Sequence, residues 1–273
     1  MKRFLPLFII LFLTGCSTDK VVTQEEDFQY AEVCKITDAD LDITTEDPTE
    51  IVFEENQEIY IIDSAGNYIL SGECEGQIRI DVQDQIVHLI LDDVKMQSKN
   101  GPAIYVQSAA KVVITIPEDT DCILMDSTDY TGYEDARACI FSEDDLTING
   151  GGDFQVYGYY KDALRTKDVL KIIDVNLDVR AKGTGLRGND GVLIQSENLN
   201  IQCEGTGIYT EKENKEKWGF VDISGGTINI IAGEYGINAA QNLYIHKCVA
   251  DIYGTVQDII CSGDKYIEEG CLE

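Results

Sequence analysis

From Ile51 onward the chain alternates apolar and polar residues in short runs. The clearest are Gln77-Ile78-Arg79-Ile80-Asp81-Val82, Val112-Val113-Ile114-Thr115-Ile116, Leu146-Thr147-Ile148, Asn198-Leu199-Asn200-Ile201 and Thr227-Ile228-Asn229-Ile230. Successive side chains of a strand point to opposite faces, so a period of two predicts β-strands with one face buried. No stretch of this region carries the helical period that an amphipathic helix needs.

A slower repeat sets the architecture. Ala103-Ile104-Tyr105-Val106, Cys139-Ile140-Phe141-Ser142, Ala163-Leu164-Arg165-Thr166, Gly185-Leu186-Arg187-Gly188, Gly207-Ile208-Tyr209-Thr210, Gly236-Ile237-Asn238-Ala239 and Asp258-Ile259-Ile260-Cys261 each open on a small or polar residue followed by an aliphatic. The aliphatics stand at 104, 140, 164, 186, 208, 237 and 259, in steps of 36, 24, 22, 22, 29 and 22 residues. A coil of about 22 residues with short strands is one rung of a solenoid, and stacked rungs place equivalent aliphatics in one internal column. The pattern predicts an all-β fold, a single-stranded right-handed parallel β-helix over residues 51–273. The two long steps predict loop insertions near 126–136 and 212–219, both polar and turn-rich. Strand alternation excludes a helical solenoid, and a sandwich gives no reason for a near-constant step.

If the aliphatic column points inward, the next residue of each rung points outward. That outward column reads Tyr105, Phe141, Arg165, Arg187, Tyr209, Asn238 and Ile260. Aromatic rings and guanidiniums about 4.8 Å apart on one flat sheet suit a glycan: sugar C–H faces pack on rings, and arginine donates to hydroxyls or carboxylates. Exposed aromatics also stabilise a β surface without any ligand. Asp144, Asp168 and Asp190 form another column, just past the strands. There an Asp accepts backbone N–H groups and fixes a turn; the alternative is a Ca²⁺ site, since calcium prefers clustered oxygens. Trp218, the only tryptophan, sits in the second insertion beside Phe220. It reads equally as a sugar platform or as a cover over one side of the coil.

The N-terminus changes the picture of location. Lys2 and Arg3 precede an apolar run over 4–13 that is too short to anchor in a bilayer, and Leu13-Thr14-Gly15-Cys16 ends it. Residues 1–15 read as an export signal and Cys16 as the lipidated N-terminus of a bacterial lipoprotein. Residues 16–50 read as an acidic tether holding the body off the membrane. The expected location is extracytoplasmic, anchored to the cell membrane by the lipid, with Ser17 compatible with the outer membrane of a Gram-negative host. Removing Lys2 and Arg3 with the leader takes the formal charge from −29 to −31. Such a surface repels nucleic acid, excluding it as a partner, and disfavours a polyanionic substrate unless divalent cations bridge the two. The eight remaining cysteines have no CxxC or CxxH pair, which argues against structural zinc. Buried thiols and disulfides both remain open, as does the oligomeric state.

Catalytic signals are weak. Pectin-type glycosidases use an Asp cluster beside Gly-His-Gly. His88 in Val87-His88-Leu89 and His246 in Ile245-His246-Lys247 lack that context. Asp92-Asp93 and Asp144-Asp145 are adjacent in sequence, and adjacent strand residues face opposite ways, so neither pair suits a two-carboxylate hydrolysis. A lyase would need an Arg or Lys base beside a metal. Only Arg165 and Arg187 near Asp168 and Asp190 can be drawn that way.

Several stretches together are specific: Asn67-Tyr68-Ile69-Leu70-Ser71-Gly72, Leu89-Ile90-Leu91-Asp92-Asp93-Val94, Asn100-Gly101-Pro102-Ala103-Ile104-Tyr105-Val106, Asp144-Asp145-Leu146-Thr147-Ile148-Asn149-Gly150-Gly151-Gly152 and Ile223-Ser224-Gly225-Gly226-Thr227-Ile228-Asn229-Ile230. In these the chain resembles a bacterial family of secreted, carbohydrate-binding-domain-containing proteins with a pectin-lyase-like β-helix, over about residues 58–254. The resemblance implies a glycan partner and supplies no catalytic set. The family's Asp-Gly-Ile rung start keeps its acid in Asp162-Ala163-Leu164, but Thr184-Gly185-Leu186, Thr206-Gly207-Ile208 and Tyr235-Gly236-Ile237 lack it. The expected function is a surface lipoprotein with a non-catalytic carbohydrate-binding domain. The alternatives are a structural or adhesive protein that binds another protein, and a polysaccharide lyase or glycosidase.

Overall fold

The computed structural model describes residues 34–44, 46–54, 58–213 and 217–273. The leader, Cys16 and most of the tether lie outside the described residues. What is described is almost all β, the strands pair in parallel, and they fall into a nine-strand sheet and a sixteen-strand sheet. The chain visits them in a fixed rotation. Ala138–Ser142 lies in the nine-strand sheet, while Asp145–Asn149 and Asp153–Gly158 lie in the larger one, before Asp162–Thr166 returns to the first. One long strand, Ile86–Gln97, belongs to two faces at once: its first half pairs with Lys111–Thr115 and its second half with Asp121–Met125. The larger sheet is therefore bent into a second and a third face, and each rung contributes one strand to each of three walls.

The register follows the aliphatic column predicted above. Ile104, Ile140, Leu164, Leu186, Ile208, Ile237 and Ile259 are paired rung to rung, and the column extends upward through Ile78 to Tyr60. Ile114, Ile148, Ile172, Ile194, Ile223 and Ile245 form the matching column of the second wall. Leu124, Val156, Val179, Ile201, Ile230 and Ile252 form that of the third. These three columns converge in one core. Burying each such side chain stabilises by roughly 1.5–3 kcal/mol.

The corner between the second and third walls has its own column. Asp93, Gly150, Asp174, Gly225 and Lys247 stand there with φ of +51°, +108°, +55°, +81° and +55°. Asp tolerates this left-handed backbone better than most side chains do. Gly150 has a further reason to be glycine, because a Cβ there would lie 2.1 Å from the carbonyl oxygen of Ile116. Asp93 also accepts the N–H of Asp121 at 3.0 Å, so it shapes the bend of the long strand.

Residues 34–42 do not behave as a free tether. They lie against the outer side of the second wall, with a short helix at Asp38–Leu41. Asp40 is fully buried there. It accepts from Lys111 Nζ at 2.6 Å, Lys171 Nζ at 2.8 Å and Thr147 Oγ1 at 2.5 Å. Lys171 Nζ also donates to the Lys35 carbonyl at 2.7 Å, and Asn149 Nδ2 to the Asp40 carbonyl at 2.9 Å. His88 Nε2, Thr115 Oγ1 and Asn149 Oδ1 continue the network across the rungs, at 2.7 and 2.5 Å. Cys34 packs with Val169, Leu193 and Phe220, flanked by Ile36 and Trp218. The β body also begins before residue 51, since Thr49–Val52 pairs with the strand Gly66–Cys74.

Burial alone would raise the Asp40 carboxyl, but hydrogen bonds from Lys111, Lys171 and Thr147 outweigh it and hold the group well below the usual carboxylate range. Removing one partner of a buried ion pair leaves the other charge uncompensated, which costs about 3–5 kcal/mol. Asp40→Ala is expected to release residues 34–42 and shift the emission of Trp218 to the red, with a loss of that order in stability read by chemical denaturation. Because the folded pKa is depressed, this contribution is present above the unfolded value of about 4. It fades as pH falls through the folded value. The gap in melting temperature between wild type and Asp40→Ala should therefore hold from neutral pH down to about 4 and close below it.

Candidate functional site

The outward neighbours of the aliphatic column on the nine-strand sheet are in register as Arg79, Tyr105, Phe141, Arg165, Arg187, Tyr209, Asn238 and Ile260. Backbone pairing alone brings these side chains together. The column then divides into two environments.

Its upper part is covered. The first insertion folds over it, and Tyr133 sets its ring 5.6 Å from Tyr105, edge to face, while its hydroxyl donates to Gln77 Oε1 at 2.9 Å. Phe141 is fully buried among Tyr105, Tyr133, Ala136 and Ala138. It offers no face to a ligand, and this corrects the expectation of an exposed ring at that rung. The insertion is tied down from inside. Tyr130 donates to Asp126 Oδ2 at 2.7 Å and stacks on Tyr160 at 4.2 Å, and burial pushes the Asp126 carboxyl up to about 6.

The lower part is half-buried and cationic. Arg165 Cζ lies 5.9 Å from the Phe141 ring, and Arg187 Cζ lies 4.8 Å over Tyr209. Arg187 pairs with Glu211 at 2.8 Å and approaches the buried carboxylate of Asp162 at 3.9 Å. Asp162 in turn accepts the Thr184 N–H at 2.8 Å. Burial and the charge of Arg187 both lower the Arg165 pKa, Arg137 adds to this, and Asp162 and Glu211 oppose it. The Nε atoms of Arg137, Arg165 and Arg187, with Asp162 Oδ2 and Asn189 Oδ1, are buried and have no hydrogen-bond partner in the protein. Buried polar groups are nearly always satisfied, so such a cluster points to water or a ligand. It offers converging donors beside a tyrosine ring.

The other expected residues lie elsewhere. Trp218 packs beside the Phe220 cluster where residues 34–36 meet the second wall, with Lys212 Nζ 4.4 Å over its ring. The aspartates stand at the corner after the nine-strand sheet. Asp144 Oδ2 accepts the Ala109 N–H at 2.8 Å, and Asp190 pairs with Lys212 at 2.6 Å. Burial, then Asp145, Asp190 and Asp144, push Asp168 up to about 6. Among the described residues no group of three or more His, Cys, Asp or Glu side chains could hold a metal ion. His246 accompanies Asp222 at 3.1 Å, and that hydrogen bond raises its pKa.

Arg137 and Glu211 escaped the sequence reading because both border the insertions, outside the repeated column. A cleft on the third wall was missed as well. It measures about 430 Å³ and is lined by Tyr157, Tyr159, Arg180, Gln202 and Glu204 among others. Its signal was available: Tyr157, Arg180 and Gln202 occupy one register position on successive rungs.

Comparison with known proteins narrows the reading. Residues 55–259 match the model of the carbohydrate-binding domain-containing protein family. A protein of that description from Acetivibrio thermocellus is 33% identical over 269 residues, covering 96% of this chain and 93% of that protein. The solved structure of a polysaccharide lyase-like protein from C. thermocellum, a gadolinium derivative, superposes with a TM-score of 0.78 and 31% identity, covering 82% of this chain and 98% of that one. With three quarters of its length matched by the family model and a relative aligned almost end to end, this chain belongs to the carbohydrate-binding domain-containing protein family.

Proposed function

We propose that this protein is an exported lipoprotein, held at the cell surface by a lipid on Cys16, whose solenoid binds a glycan without cleaving it. The carrying observation is the half-buried strip of Arg137, Arg165 and Arg187 beside Tyr209, with three unpaired Nε donors. A sugar laid along the strip would pack on the exposed part of Tyr209, whose ring already carries Arg187, and take hydrogen bonds from the arginines. The sheet that carries the strip is rigid and paired through its length, so little ordering is needed on binding. Tyr105 lies at the upper edge of the strip, beneath Tyr133. We take the coil as single-stranded and right-handed, the sense that parallel crossovers adopt in nearly all sheets.

Among the described residues no acid and base pair flanks the strip. Asp162 is fully buried and engaged by Thr184, and Glu211 is held by Arg187. This favours binding over hydrolysis. An adhesive role toward another protein is the competing reading.

Arg165→Ala with Arg187→Ala is expected to abolish the glycan-array signal of the purified protein, and Tyr209→Ala to weaken it by about tenfold, as loss of one stacking platform of 1–1.5 kcal/mol implies. Tyr157→Ala with Arg180→Ala, in the cleft of the third wall, should leave it unchanged. The array is run with and without Ca²⁺. Calcium dependence would bring Asp144, Asp168 and Asp190 into the site, and silence on every glycan would favour the adhesive role. Cys16→Ser is expected to move the protein from the membrane fraction to the soluble one, read by fractionation and immunoblot.

A further inference from the structure

The strand Val249–Gly254 is the edge of the third wall among the described residues, and an open strand edge is stabilised by a cap. Here the cap is the C-terminal segment. After the strand Lys265–Ile267 the chain turns through Gly270, with φ +89°, and runs beside the strand Val249–Gly254. Ala250 pairs with Leu272 in a parallel bridge. The Ala250 N–H donates to the Cys271 carbonyl at 2.7 Å, and the Glu273 N–H donates to the Ala250 carbonyl at 3.1 Å. Glu268 joins the same corner, accepting the Lys247 N–H at 2.6 Å.

This pairing sets Cys271 opposite Val249, diagonal to Cys248 on the neighbouring rung. Both are buried in the main core, the Cys271 thiol bears on the ionisation of Cys248, and Cys271 Sγ lies 3.9 Å from Glu268 Oε2. Neighbouring strands run about 4.8 Å apart and rise about 3.3 Å per residue, so a diagonal pair stands about 6 Å apart, inside the Cα separation of about 4.4–6.8 Å that a disulfide spans. Other cysteines point their sulfur at backbone: Cys122 at the Leu91 carbonyl, Cys203 at that of Gly205, Cys261 at that of Gln241.

We infer that Cys248 and Cys271 are the two halves of a structural disulfide that staples the C-terminal cap onto the last rung. The two thiols give up their hydrogens and two electrons to an external disulfide, either an oxidised dithiol protein or a low-mass disulfide. The Cys248–Cys271 bond forms and the donor leaves as two thiols. The cross-link closes the segment from the third-wall corner through the strands Val249–Gly254, Gln257–Cys261 and Lys265–Ile267, so the cap cannot fray without breaking a covalent bond. Burial, with the neighbouring Cys271, pushes the Cys248 thiol up to about 12. In the folded chain the pair is then slow to react, and oxidation belongs to the folding step.

The full chain is refolded from denaturant in an oxidised and reduced glutathione mixture, then alkylated, digested and mapped by mass spectrometry. The expected result is one peptide pair joined through Cys248 and Cys271, with an unfolding midpoint above that of the same sample kept in dithiothreitol. Cys271→Ser should lose both the pair and the difference between the two midpoints, whereas Cys74→Ser should keep both. Alkylation of both residues in the oxidised sample, or pairing of either with another cysteine, overturns the assignment. Because the oxidant is added, the result does not depend on export or on glycan binding.

Discussion

Everything in this molecule depends on the register between stacked parallel strands. The side-chain period of a strand is two, so a slip of a single residue would move an entire aliphatic column to the solvent and its polar neighbours to the core. Each rung is therefore fixed by the rung before it. Ile104, Ile140, Leu164, Leu186, Ile208, Ile237 and Ile259 hold one such column without a shift. The outward strip follows as a geometric consequence. Arg165, Arg187 and Tyr209 are aligned because Leu164, Leu186 and Ile208 are.

That dependence explains what could be read from the sequence. The column, its outward partners and the two insertions all follow from spacing, and the structure places them accordingly. Contacts made by segments outside the repeat carry no period and left no such trace. Residues 34–42 look like polar tether, yet Asp40 gathers Lys111, Lys171 and Thr147 on the outer side of the second wall. The sequence shows two lysines and an aspartate about seventy to one hundred and thirty residues apart, and nothing local joins them. Phe141 is a similar case. Its outward direction was legible, but its burial comes from Tyr133, which reaches it from an insertion.

The repeat also accounts for the acidic corners. A left-handed residue recurs where the second wall turns into the third, and Asp93 and Asp174 occupy two of those places. Part of the large negative charge is thus required by backbone geometry rather than by any ligand. Asp144 and Asp190 extend this at the other corner, one accepting a backbone N–H and the other held by Lys212.

Against that background the arginine strip stands apart. A chain with 50 acidic and 21 basic residues places Arg137, Arg165 and Arg187 close enough for each to bear on the charge of the next. Repulsion between like charges and partial desolvation both oppose that arrangement, and Asp162 and Glu211 offset only part of it. At physiological ionic strength charges more than about 8 Å apart are largely screened, so the acidic remainder of the surface does not cancel the local field. The three Nε donors are buried there and not satisfied by the protein. Stability alone gives no reason to stack Arg165 on Arg187 with Arg137 close by, whereas the proposed recognition of an oxygen-rich molecule supplies one.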